Sequence, residues 1–146
     1  MSRIRVVVAD DDDTMRHAIV DVLEAHGGFT VVADVATGER LPELVAETQA
    51  QLVVLDVRMP SGGVEAARAL REHHPQTVVV AVSASNQASI VASMIRAGAT
   101  GFLAKGHLGM TFADDLARCT GGQVMFGVPP GAEALRALEE NSEEPA

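Results

Sequence analysis

Apolar residues along this chain fall into two alternating rhythms. Short runs, IRVVVA (4–9), FTVVADV (29–35), QLVVLD (51–56), TVVVAVS (77–83) and GFLA (101–104), are dominated by Val, Leu and Ala. Nearly continuous rather than alternating hydrophobicity predicts strands buried on both faces, as in a parallel sheet. Between them, residues at roughly 13–26, 38–49, 63–74, 86–97 and 112–120 read as amphipathic helices. Gly27-Gly28 and Gly98 stand where two of these helices should end in a left-handed residue. Thr111 with Asp114 resembles a capping box opening the fifth helix. Strand and helix in strict alternation, with right-handed crossovers, predict a single doubly wound (βα)5 domain of the α/β class.

At 146 residues the chain is long enough for one domain with a real core. With no Trp or Tyr and only four Phe, that core must be built from Val, Leu, Ala, Ile and Met. The boundaries expected are a domain over 1–122 and a linker or C-terminal extension, partly disordered, over 123–146. VMFGVPPG (124–131) cannot be helix throughout, and the acidic end reads as solvated and frayed.

A net charge of −9 disfavours direct nucleic-acid binding by this domain, because a polyanion needs a basic face. The lone Cys119 excludes an internal disulfide and shares a helix face with Phe112 and Leu116, the position of a small core residue. No signal peptide or membrane span is legible, so a cytoplasmic location is expected, with no membrane partner.

The chemistry gathers at strand ends. In an open α/β sheet, ligands sit beyond the carboxyl ends of the strands, where strand order reverses. With order 2-1-3-4-5, that point lies between the first and third strands. The first ends in Asp10-Asp11 and the third in Asp56, while Ser83 and Lys105 close the fourth and fifth. Three carboxylates aimed at one small volume suit a hard divalent cation such as Mg2+. Asp56 could then attack phosphorus to give an acyl phosphate. Lys105 offers a point charge, and Ser83 a hydroxyl, to the remaining phosphoryl oxygens. Taken singly, an Asp at a strand end is more often a cap and a lone Lys a solvated one; the joint pattern carries the reading. Asp12 and Asp13 read as the cap and first turn of the first helix.

The stretches VVVADDDDTMR, LVVLDVRMP, VVVAVSAS, AGATGFLAK and GGVEAAR resemble the receiver domain of bacterial two-component response regulators over about residues 4–120. The resemblance implies a flavodoxin-like sheet and a switch that accepts a phosphoryl group from a sensor histidine kinase or phosphotransfer protein. Asp56 would be the phosphoacceptor. Asp11, Asp56 and the Arg58 backbone carbonyl would hold Mg2+, with Asp10 acting mainly through water. Ser83 and Phe102 fall on the switch positions, the hydroxyl moving toward the phosphoryl group as the ring turns inward, and Lys105 on the family's lysine. Such a protein phosphorylates and dephosphorylates itself but turns over no separate substrate, so it is not an enzyme. A homodimer through the fourth helix, fifth strand and fifth helix is the family's habit; Ile90, Val91, Met94 and Ile95 make the fourth helix broadly apolar.

Two departures stand out. MPSGGVE is one residue shorter than the family's usual loop, and Lys105 is followed by Gly106 where many relatives have Pro. Two rival readings share the fold: an adaptor that binds proteins without phosphate, and a small aspartyl phosphatase. The second lacks its general-acid Asp two residues past the nucleophile, where Arg58 stands. The output is open: either a single-domain regulator or the receiver portion of a longer protein.

Overall fold

The computed structural model describes residues 3–59, 63–84, 88–105, 111–120 and 125–127. Strands β1 (Ile4–Ala9), β2 (Phe29–Val35), β3 (Leu52–Asp56), β4 (Val78–Ser83) and β5 (Gly101–Ala104) alternate with helices. These are α1 (Asp13–His26), α2 (Leu41–Thr48), α3 (Val64–His73), α4 (Ala88–Arg96) and α5 (Phe112–Thr120). A sixth strand, β6 (Met125–Gly127), was not among the five expected. Every pairing is parallel and the order is β2-β1-β3-β4-β5-β6, the expected 2-1-3-4-5 with one strand added at the edge.

The pleat sorts the valines into two cores. Val6 and Val8 of β1, Leu52 and Val54 of β3, and Val80 and Val82 of β4 face Ile19 and Leu23 of α1 and Phe112, Leu116 and Cys119 of α5. The intervening Val7, Ala9, Val53, Leu55, Val79 and Ala81 face Val45 of α2, Leu70 of α3 and Val91 and Met94 of α4. Two-sided burial is why the runs do not alternate with polar residues. Each fully buried Val or Leu contributes about 1.5–3 kcal/mol relative to exposure.

Local signals set the helix ends. Asp12 is the N-cap of α1, its side chain accepting from Met15 N–H, and Gly27 ends that helix at φ 84°. Helix α2 begins at Leu41, later than the expected 38, because Pro42 pre-sets the first turn; it closes on Gln49 at φ 55°. Asp114 reaches out of α5 toward α1, its Oδ1 lying 2.9 Å from His26 Nε2. The expectations for 128–146 and for Gly106 lie outside the described residues. Among the described residues no helix is long and apolar enough to cross a membrane.

Candidate functional site

The ladders end where the carboxylates begin. Asp10 N–H donates to Val35 O (2.9 Å) and Val57 N–H to Val82 O (3.2 Å), so β1 stays paired with β2 through Asp10 and β3 with β4 past Asp56. Asp10 is 1% exposed and Asp56 4%, whereas Asp11 is open to solvent. One carboxylate oxygen from each of Asp10, Asp11 and Asp56 lies within 4.8 Å of the others. The structure thus brings together the three aspartates singled out in the sequence.

Backbone donors fix two of them. Asp12 N–H donates to Asp10 Oδ1 (2.9 Å) and Arg58 N–H to Asp56 Oδ1 (3.2 Å). Lys105 follows β5 directly and lies between their other oxygens, 3.0 Å from Asp10 Oδ2 and 3.4 Å from Asp56 Oδ2. The contact with Asp10 is one of charge more than of direction, because Oδ2 is buried and makes no well-angled hydrogen bond. A buried carboxylate oxygen with an unspent lone pair, beside two further carboxylates, fits a small hard cation.

Burial pushes the Asp56 carboxyl up to about 6; the Arg58 N–H bond opposes the rise, the Asp10 charge adds to it and the Lys105 charge reduces it. For Lys105, burial on its own would lower the pKa. Its contact with Asp10 and the negative charges of Asp56 and Asp10 outweigh that, leaving it above its ordinary value. The site is therefore a pocket of mutually repelling acids held by one ammonium, a state that a divalent cation would relieve.

Ser83 ends β4, 1% exposed, in register with Ala104. Phe102 is 0% exposed and packed in the core shared by α2, α3 and α4, so its ring already lies inside in this conformation. Arg58 sits on the turn after Asp56 with its side chain exposed. The chain returns at Gly63, the N-cap of α3, at φ 64°. A Cβ there would stand 2.4 Å from Val57 O, so only glycine fits. Pro60, Ser61 and Gly62 lie outside the described residues.

Sequence reasoning passed over Arg16. Its guanidinium donates to Asp10 O (2.9 Å), pairs with Asp34 Oδ1 of β2 (2.9 Å) and contacts Asp13 Oδ1 (2.7 Å), its side chain only 12% exposed. It clamps the end of β1 from the helix side. The available signal was a cation three residues after an unbroken run of four aspartates.

A profile of the response regulator receiver domain matches residues 6–109. The response regulator GacA of Pseudomonas viridiflava is 38% identical over 104 residues, covering 70% of this chain and 49% of that protein. The probable transcriptional regulatory protein NarL of Mycobacterium tuberculosis is 35% identical over 104 residues, 70% of this chain and 48% of that protein. The solved signal receiver domain of the putative response regulator NarL from Mycobacterium tuberculosis superposes with a TM-score of 0.76 at 30% identity, covering 84% of this chain and 100% of that one. The chain spans about half the length of the curated relatives it matches. The strand order, the convergent aspartates and a profile match over more than half the sequence place this chain in the response regulator receiver domain family.

Proposed function

We propose that this receiver is phosphorylated on Asp56 in a Mg2+-dependent reaction, with a sensor histidine kinase or phosphotransfer protein as donor. The observation that supports it best is the gathering of Asp10, Asp11 and Asp56 oxygens within 4.8 Å, with Lys105 at the same carboxylates. An Asp56 oxygen attacks phosphorus, a carboxyl–phosphoryl bond forms, and the bond from phosphorus to the donor's histidine nitrogen breaks. Arg58 N–H holds the non-attacking Oδ1, orienting the carboxylate. Asp10, Asp11, Asp56 and the Arg58 carbonyl are the residues that would hold Mg2+, which when bound offsets their repulsion and polarises a phosphoryl oxygen. Lys105 and Ser83 are the assigned donors to the remaining oxygens, and Ser83 and Phe102 the residues that report occupancy. Response regulators are signalling proteins rather than enzymes acting on a separate substrate.

In this reading residues 1–122 form the receiver and 123–146 a linker or extension toward an output, in the cytoplasm. The relatives named as transcriptional regulators suggest a DNA-binding output, delivered by another domain and not by this acidic one. Self-association through α4, β5 and α5 is the proposed homodimer; Ile90 and Ile95 of α4 are only half-buried. Intact-mass spectrometry with Mg2+ and acetyl phosphate tests the central claim. The wild type should gain one phosphoryl group and Asp56→Asn none. No uptake from acetyl phosphate or from a histidine kinase, with Mg2+ still bound, points instead to the phosphate-independent adaptor.

A further inference from the structure

We infer that β6 is a state-dependent edge strand, whose pairing with β5 loosens when the acidic site is loaded. The inference rests on the reading of that site as a Mg2+ and phosphoryl site. Strand β6 follows α5 and adds a sixth strand to the five of the (βα)5 sheet. Among the described residues it pairs only with β5, through Gly101–Met125, Phe102–Phe126 and Leu103–Gly127, and is the last strand of the sheet.

The physical link runs through one residue. Lys105 is the first residue past β5, and its ammonium is held by Asp10 and Asp56 at 3.0 and 3.4 Å. A cation and phosphoryl oxygens arriving at those carboxylates change the partners of that ammonium, and with them the load on the end of β5 that carries it. On its inner side β5 is anchored by four register pairs with β4 and by the buried Phe102 and Leu103. On its outer side it holds three residues of edge strand. Short edge pairings lie at the low-stability end of a structure, so a pull on the end of β5 is absorbed at β6. Coupling of this kind is reciprocal: what loosens β6 must also favour loading of the site.

Hydrogen exchange on the full chain, with and without Mg2+ plus beryllofluoride, provides the test. Peptides covering 52–59 report whether the phosphoryl mimic has bound, and those covering 125–127 report β6. Faster exchange at 125–127 together with a response at 52–59 is expected. A response at 52–59 with unchanged or slower exchange at 125–127 overturns the inference while leaving the site reading intact. No response in either region overturns both. Because alternate residues of a parallel strand donate to a given neighbour, Met125→Pro and Phe126→Pro test both positions of β6. With the fold checked by circular dichroism, at least one variant should bind Mg2+–beryllofluoride about 3–10-fold tighter by calorimetry. Affinity equal to wild type in both overturns the coupling.

Discussion

Lys105 Nζ lies 3.0 Å from Asp10 Oδ2, an oxygen that makes no directed hydrogen bond and belongs to a side chain 1% exposed. The same ammonium serves Asp56 on the neighbouring strand. Lys105→Ala leaves two buried acids facing each other, and should cost on the order of 3 kcal/mol in metal-free buffer. Mg2+ should restore much of the loss and still bind, while the response to phosphate is impaired. Urea unfolding with EDTA or with Mg2+ measures this. A variant as stable as wild type in EDTA would show that the ammonium is not a structural counter-ion.

The Asp56 carboxyl is raised from 3.8 to about 6, chiefly by burial, so the folded protein keeps a proton that the unfolded chain has already lost. Stability contributed by this group is present at low pH and is lost as pH rises through that window. Asp56→Asn should therefore raise the melting temperature of the metal-free protein at neutral pH by a few degrees. The gap from wild type should shrink toward about pH 4. A gap independent of pH would mean that Asp56 is not the titrating group.

The four aspartates divide by function. Asp11→Ala should weaken Mg2+ binding and phosphorylation together, because Asp11 supplies an oxygen to the cluster. Asp12→Ala removes the cap of α1 and should cost about 1 kcal/mol while leaving both activities nearly intact. Asp13→Ala should also leave both activities nearly intact, since exposed Asp13 is not among the clustered aspartates and Arg16 keeps Asp34 and the Asp10 carbonyl. Calorimetric Mg2+ titration and intact mass separate the three.

Arg58 follows Asp56 by two residues with its side chain exposed. Leaning over a phosphoryl group, it would hinder the in-line approach of water. The phosphorylated protein is expected to last minutes to hours, and Arg58→Ala should change the hydrolysis rate. Decay of the wild type within seconds would discard the shielding role.

Strand limits were readable because two-sided burial leaves an uninterrupted apolar run. The aspartates were readable because they follow such runs directly. β6 was not: Met125–Gly127 is three residues beside Val128-Pro129-Pro130, too short to carry a periodicity. Arg16 was hidden for a different reason. Three residues after Asp13 on a helix, it looks like an ordinary surface pair, and only the fold brings Asp34 and the Asp10 carbonyl to it. Lys105 was expected to meet a phosphoryl oxygen, but sequence could not show that its ammonium already bridges Asp10 and Asp56. The late start of α2 had a signal in Pro42, which the helical spacing from 38 onward outweighed.

Gly63 meets the backbone of Val57, the residue that follows Asp56, so closely that no side chain could stand there. The crossing from Asp56 to α3 therefore depends on glycine at this position. A larger residue there would push on Val57, and through it on the aim of Asp56. In this chain, a backbone position outside the acidic cluster is part of how the carboxylate is pointed.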